Sequence, residues 1–329
     1  MFAFNAVMPI LLLVLLGYVL RSVGFAGEEF FKKANTLVFR VFLPALLFCN
    51  VYDIETLSDV HWGDVGYIAL IVVLLAVIGV LLAAAFVPER LQKGPFIQCV
   101  FRSNCAILGI PLAQSLGGTP AVAFTAVATA VTIPLFNTLA VIVLSYYADK
   151  TPSVKATVLR TLKNPLIIGV GLGLLVLAIR SFIPHTADGA LVFSLENNCK
   201  FVFSAVRMAG QAASPLALVV LGARFDFSAV RSLLRPITIG VIARIVFAPA
   251  LAIGGAIALT QLGVLHFTTV EVPALVAVFG SPIAVSSAVM VGEIGGDDQL
   301  AAQLVVWTSA FSLFTIFITV FLLRSFAYL

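Results

Sequence analysis

The chain has 329 residues, of which 61% are hydrophobic and only 10% charged. That leaves too little polar surface to cover an ordinary soluble domain, so an all-α polytopic membrane protein is expected. The formal charge of +4 lies in short segments between apolar runs, where it reports loop topology rather than a nucleic-acid partner.

Ten apolar spans follow in order, each near or above the roughly 20 residues that a bilayer requires. Span one, 4–21, carries Pro9 and ends at Arg21; without a basic leader or a small-residue cleavage site it reads as a retained helix. Span two, 34–52, crosses Pro44, and Asp53, Glu55, Asp59 and Asp64 make the next loop acidic. Span three, 64–87, stops at Val87-Pro88-Glu89-Arg90. Span four, 95–117, carries Arg102, Ser103 and Asn104, is expected to break at Gly109-Ile110-Pro111, and ends at Gly117-Gly118. Thr119 and Pro120 then turn the chain tightly into span five, 119–146, with Thr125, Thr129, Thr132, Pro134 and Asn137.

A short basic linker, 148–163, precedes the second half. Span six, 164–183, opens at Asn164-Pro165, a proline-started helix. Span seven, 198–222, has the most polar face, with Arg207, Gln211, Ser214 and Pro215 at helical spacing. Span eight, 235–262, carries Arg244. Span nine, 270–292, is expected to break at Gly280-Ser281-Pro282. Span ten, 299–324, follows the Gly295-Gly296-Asp297-Asp298 turn and ends at Arg324.

The two interrupted stretches are related. Gly109-Ile-Pro-Leu-Ala-Gln-Ser115 and Gly280-Ser-Pro-Ile-Ala-Val-Ser286 match at Gly, Pro, Ala and Ser, 171 residues apart, and that offset also carries Pro44 onto Pro215 and Ala106 onto Ala277. The halves 1–147 and 164–329 thus read as diverged copies. Five spans per copy is odd, so the second is inverted and the broken spans four and nine should cross near the midplane. Proline and glycine interrupt a helix, and irregular backbone at membrane depth is tolerated only inside protein or beside a water-filled cavity. The N-terminal end of each second half-helix carries partial positive charge and free N–H groups, a site for an anion.

Alternating the loops gathers Arg21, Lys32, Lys33, Arg40, Arg90, Lys93, Arg102, Lys150, Lys155, Arg160, Lys163, Arg224, Arg231 and Arg235 on one side, against Arg180, Lys200 and Arg324 on the other. The first side is expected to be cytoplasmic, with both termini outside a cell membrane, a bacterial inner membrane in this reading. Cys49, Cys99, Cys105 and Cys199 lack metal-ligand spacing and read as small buried hydrophobes. His61, His185 and His266 fall in the outer loops as solvated residues. No metal or cofactor is expected.

Asn104-Cys-Ala-Ile-Leu-Gly-Ile-Pro-Leu112 closely resembles the fourth-span motif of the auxin efflux carrier family, which includes the plant PIN-FORMED carriers and many bacterial carriers. Leu43-Pro44-Ala45, Lys163-Asn164-Pro165, Ser214-Pro-Leu-Ala-Leu218 with Gly222, and Pro282 with Glu293 are similar to the family's pattern, across nearly the whole chain. The plant carriers' long central loop is missing. The resemblance implies ten spans in a 5+5 inverted repeat, with spans one, two, six and seven as a scaffold and the rest as a moving transport domain. It also implies a homodimer and carboxylate substrates: auxin in plants, acids such as malate or malonate in some bacterial relatives.

The candidate substrate-binding residues are Asn104, Gly109, Ile110, Pro111, Leu112 and Ser115 from span four, Gly280, Ser281, Pro282, Ile283 and Ser286 from span nine, Asn137 from span five, and Arg207 and Gln211 from span seven. For Asn104 the other reading is a packing bond to a neighbouring span; for Ser115 and Ser286 it is a bond back to their own helix. Arg207 lies about 13 Å into its span at 1.5 Å per residue, where a functional role and snorkelling both stand. Arg102 and Arg244 are expected to snorkel from nearer the cytoplasmic ends. No acidic residue occupies the middle of a span, so a carboxylate proton relay or central sodium site has no support. With no H-E-x-x-H, nucleophile elbow or phosphate loop, the expected function is a carrier of an organic carboxylate, not an enzyme. The alternatives are an anion-permeable channel and a carrier of a neutral solute.

Overall fold

In the computed structural model, which describes residues 2–53, 62–148, 159, 162–180, 183 and 193–329, helices follow one another almost without interruption. Most of the 148–163 linker, the loop with Glu55, Asp59 and His61, and His185 lie outside the described residues. The first half comprises α1 (Phe2–Ser22), α2 (Glu28–Leu37), a π-helical turn (Val38–Phe42), α3 (Leu43–Tyr52), α4 (Trp62–Phe86), α5 (Arg90–Phe101), a second π-turn (Cys105–Gly109) and α6 (Ile110–Ala148). The second half comprises α7 (Pro165–Arg180), the short α8 (Leu195–Asn198), α9 (Lys200–Arg224), α10 (Ala229–Ile242), a third π-turn (Ala243–Phe247), α11 (Ala248–Gln261), α12 (Val272–Phe279), α13 (Ser286–Ile294) and α14 (Asp298–Ser325). Among the described residues, six segments are long and apolar enough to cross a membrane: Glu28–Tyr52, Trp62–Phe86, Ile110–Ala148, Lys200–Arg224, Ala229–Gln261 and Asp298–Ser325. The expected spans four and nine are each divided into shorter pieces.

Proline accounts for the irregular turns. Pro44, Pro111 and Pro249 each follow the last residue of a π-turn by two positions. Proline has no N–H for the carbonyl four residues back, and its ring crowds that carbonyl. The carbonyls concerned, of Arg40, Ile107 and Ile245, all lie inside the widened turns. Pro111 therefore stands in the first turn of α6 rather than interrupting a helix, as expected of a proline whose missing N–H is an orphan at that position anyway.

The interruption that was expected at Gly109-Ile110-Pro111 lies upstream, at Arg102–Asn104. Arg102 is extended (φ −86°, ψ 121°), Ser103 forms an isolated antiparallel bridge with Ile283, and the Asn104 N–H donates to the Pro282 carbonyl at 2.9 Å. In the second half the gap falls between Phe279 and Ser286, and includes Pro282. The two matched phrases consequently occupy different places: one opens a helix, the other forms the gap.

The gaps leave helix ends inside the protein, and Arg244 binds them. This residue is 0% exposed and projects from the third π-turn. Its Nε donates to the Ser281 carbonyl at 3.0 Å, Nη1 to those of Val100 and Phe101 at 3.4 Å each, and Nη2 to those of Val278 and Phe279 at 3.2 and 2.9 Å. One cation thus caps the C-terminal ends of α5 and α12 together, where the helix dipoles concentrate negative charge. Snorkelling, the expectation for Arg244, is corrected: five carbonyls offer inside the protein what water would offer outside.

Packing falls mainly into two sets. α1 lies along α9, and α3 along α7 and α9, while α4, α5, α6 and α12 pack together and α10 packs on α14; α1 also touches α14. The α1–α9 crossing is so close that a Cβ on Gly17 would fall 1.9 Å from the Val219 oxygen, and one on Gly222 1.8 Å from the Val14 oxygen, the small-residue packing of membrane helices. Within α6, Gly118 adopts φ 64°, ψ −156°, a left-handed bend that glycine accommodates. The limbs meet again beyond it, since Ala113 and Ala121 share a cluster with Ala277. Polar contacts join the sets at the far end of α13. Asn35 Nδ2 donates to the Val289 carbonyl and Glu293, Thr36 donates to Glu293 at 2.7 Å, and Arg224 pairs with Asp298.

Replacing Arg244 with glutamine strands several buried carbonyls, and hydrogen bonds to a charged group are worth about 1.5 to 3 kcal/mol each. Arg244→Gln is expected to unfold several degrees below wild type in detergent, with partial recovery in Arg244→Lys. Intrinsic-fluorescence melting tests this, and an unchanged melting temperature for Arg244→Gln would contradict the capping role.

Candidate functional site: a cavity between the helix gaps

Both gaps open on one cavity, lined by Arg102–Cys105, Ala284–Ser286, Ile133, Phe136 and Asn137 of α6, Leu43, Leu46, Leu47 and Asn50 of α3, Leu166 of α7 and Ser214 of α9. Its position follows from chain direction. Ala284 and Val285 lead into α13 at Ser286, and Ser103 and Asn104 lead into the second π-turn at Cys105, so two N-terminal helix ends border the cavity while the matching C-terminal ends face Arg244.

Arg102 is the charged group of this cavity. It is 3% exposed, and the recorded hydrogen bonds of its guanidinium run to neutral partners: Nη1 donates to Gln98 Oε1 at 3.1 Å and to Met290 Sδ, and Nη2 to Asn137 Oδ1 and Ser286 Oγ, each at 2.8 Å. Snorkelling is corrected here too, because the guanidinium is held inside the protein between Gln98 of α5, Asn137 of α6, and Ser286 and Met290 of α13. The charge is buried beside the positive end of the α13 dipole, which raises the local potential further.

Two donors beside it are unused. Asn104 Nδ2 and Ser103 Oγ are buried, their residues 4% and 5% exposed, and neither atom has a hydrogen-bond partner among the described residues. Buried polar groups are normally paired, so these are positions where a ligand or water would bind. Ser286, accepting from Arg102, keeps its own hydroxyl proton to donate. Asn137 has both ends engaged, Oδ1 with Arg102 and Nδ2 with the Ile133 carbonyl at 2.8 Å; it holds the arginine in place.

Of the residues expected here, Asn104, Asn137 and Ser286 line the cavity. Gly109 packs against the Ala277 carbonyl, and Ile110, Pro111, Leu112 and Ser115 belong to the first turns of α6, with Pro111 and Ser115 exposed. Gly280, Ser281, Pro282 and Ile283 build the second gap without lining the cavity: the Ser281 hydroxyl donates to Ala277, and Pro282 and Ile283 meet the first gap. Gln211 is exposed on α9, whose inward stripe is Gly210, Ala213 and Ala217. Arg207 is corrected as well. It pairs with Asp53 at 2.7 Å and Glu196 at 3.8 Å and lies over the Phe203 ring, in a separate polar cleft with Tyr52 and Arg180. Counter-charges near the start of α9 make that position cheaper than burial at midspan. Sequence reading passed over the roles of Arg102, Ser103, Asn50 and Ser214. The available signal was the polar triplet Arg102-Ser103-Asn104 in an apolar span, had the gap been placed there instead of at proline.

No group of three or more His, Cys, Asp or Glu is arranged to hold a metal among the described residues.

The family model described as "Membrane transport protein" matches residues 2–320. The chain belongs to the membrane transport protein family. It is a multi-pass membrane transporter rather than an enzyme, in line with the motif resemblance. A stretch of 57 residues is 40% identical to an uncharacterized transporter of Methanothermobacter thermautotrophicus, covering 17% of this chain and 19% of that relative; the match spans about a fifth of the relative's length. The fold is similar to that of the sodium proton antiporter MjNhaP1 from Methanocaldococcus jannaschii, solved at pH 8, with a TM-score of 0.61, 13% identity, and coverage of 94% of this chain and 92% of that one. At that identity the likeness is one of fold alone.

For this member of the family, cavity-lining positions should be sensitive to plugging. In a cysteine-free background, a bulky thiol reagent on Asn50→Cys or Ser214→Cys is expected to cut transport at least tenfold, and on Gln211→Cys or Arg207→Cys less than twofold. Equal inhibition at all four positions would contradict the placement of the cavity.

Proposed function

We propose that the protein is a secondary carrier that moves an organic carboxylate across the cell membrane by alternating access. The observation that carries this reading is the buried charge of Arg102, bonded to neutral groups beside unused donors on Asn104 and Ser103. A buried cation without a counter-ion is costly, and a bound carboxylate relieves that cost while occupying both donors. The carboxylate lies between the N-terminal helix ends, with its remaining atoms against α3 and α7.

In this reading the ten expected spans form a 5+5 inverted repeat. α1 to α3, α7 and α9 are the scaffold, and α4 to α6 with α10 to α14 are the moving transport domain containing the crossover. The packing sets support that division, and the antiparallel meeting of Ser103 with Ile283 supports inverted halves. The contacts of Glu293 and Asp298 with the scaffold close the cavity on the side of the basic loops. A homodimer, with its termini outside the cytoplasm, completes the proposal. A carrier is favoured over a channel because the cavity is small and bounded by gaps that are themselves bonded together.

Calorimetry on purified protein tests the charge. An acid is expected to bind about tenfold or more tighter than its uncharged amide, since hydrogen bonds to charged groups are worth roughly 1.5 to 3 kcal/mol against about 1 for neutral ones, and Asn104→Ala should weaken the acid more than the amide. Equal binding of acid and amide would leave a neutral-solute carrier as the better reading; uptake without saturation or counterflow would favour a channel. For orientation, a membrane-impermeant thiol reagent should label Asp59→Cys from outside intact cells and Ser153→Cys only after permeabilisation. The reverse pattern would invert the topology.

A further inference from the structure

The carboxylate reading leaves open how many charges and how large a body the cavity accepts, and the lining residues bear on both. Among the described residues that line it, Arg102 is the one charged side chain, and its four recorded hydrogen bonds end on Gln98, Met290, Asn137 and Ser286, none of them ionised. The site therefore presents one uncompensated positive charge. Other cations are engaged elsewhere: Arg244 on carbonyls outside the cavity, Arg207 on Asp53 and Glu196, and Arg180 on the Tyr52 carbonyl and ring.

The wall contributed by α3 and α7 is apolar where it carries Leu43, Leu46, Leu47 and Leu166. A second carboxylate directed there loses its water and gains no counter-ion, which is strongly unfavourable. The cavity volume is about 60 Å³, against the roughly 10 to 15 Å³ that a single water needs. That is room for about four to six water-sized groups.

From the charge count and the room together, resting on the carboxylate reading above, we infer that the cavity selects a short-chain monocarboxylate over dicarboxylates and over long-chain acids, and that Arg102 is the residue that sets this charge selectivity. Asn104, Ser103 and Ser286 supply uncharged donors that a neutral polar ligand can also use, though less strongly than a carboxylate, so the larger part of the discrimination between an acid and its amide rests on the guanidinium. Asn137 fixes the guanidinium orientation through its bond to Nη2.

The test uses the full chain in lipid nanodiscs, with equilibrium binding of acetate, propionate, lactate, hexanoate, malonate, succinate and propionamide, and counterflow of the same compounds in proteoliposomes. Wild type should bind propionate or lactate at least tenfold tighter than malonate, succinate, hexanoate and propionamide. Malonate should gain affinity as falling pH protonates its second carboxyl. Arg102→Gln should lose at least tenfold in propionate affinity while keeping propionamide binding, and Arg102→Lys should retain the preference for acid over amide. If Arg102→Gln does not fold, the wild-type panel and Arg102→Lys still decide the matter. Dicarboxylates or hexanoate binding as tightly as propionate, or Arg102→Gln keeping the full acid preference, would overturn this inference and leave the carboxylate reading intact. No acid binding better than propionamide would instead overturn the carboxylate reading itself.

Discussion

Two helices end inside an apolar bundle, and every carbonyl at those ends needs a donor that the surrounding hydrocarbon lacks. Arg244 supplies it for both at once, with donors reaching Val100, Phe101, Val278, Phe279 and Ser281. A lysine's three donors on a compact ammonium do not reach as widely as a planar guanidinium. The positive charge also opposes two helix dipoles whose negative ends converge. With the ends capped, the antiparallel contact of Ser103 with Ile283 and the Asn104 to Pro282 hydrogen bond hold the gaps in register, and the cavity inherits its shape from them.

Polarity separates the two sides of this meeting point. The C-terminal ends face a charge already saturated by backbone carbonyls, whereas the N-terminal ends face Arg102, whose partners are neutral. The first arrangement is closed and structural. The second leaves net positive potential and spare donors in a small space, the electrostatic condition for holding an anion. Arg102 can remain in place because Asn137, Ser286 and Gln98 satisfy its N–H groups without neutralising it. A carboxylate in those positions would have formed an ion pair and removed the attraction.

Much of the helical layout was legible from the sequence, because long apolar runs bounded by charge have few other solutions. The bend at Gly118 and the termini of α4, α9 and α14 lie within a few residues of the expected limits. The position of the first gap was not legible in this way. Gly109-Ile-Pro111 carries the strongest local signature of a break, yet proline is compatible with a first helical turn, and the chain opened seven residues earlier where Arg102, Ser103 and Asn104 could find partners on other elements. Gly109, Ile110, Pro111, Leu112 and Ser115 lie off the cavity for that reason. Asn104 stayed on it because it lies at the gap itself.

The arginines mark the division most clearly. Sequence alone determined that this is a multi-pass helical membrane protein with two irregular stretches, since hydropathy, proline and glycine act through the local backbone and need no partner to be understood. It did not decide which cations are buried. Arg102, Arg207 and Arg244 each occur in apolar surroundings, and from depth along a span Arg207 looked the most central. Tertiary structure reversed the order: Asp53 and Glu196 hold Arg207 in a separate cleft, while helix ends more than thirty residues away in the chain hold Arg244 and a neutral cradle from three elements holds Arg102. The energy of a charge in a membrane protein is set by the partners within a few ångströms, and those are chosen by folding.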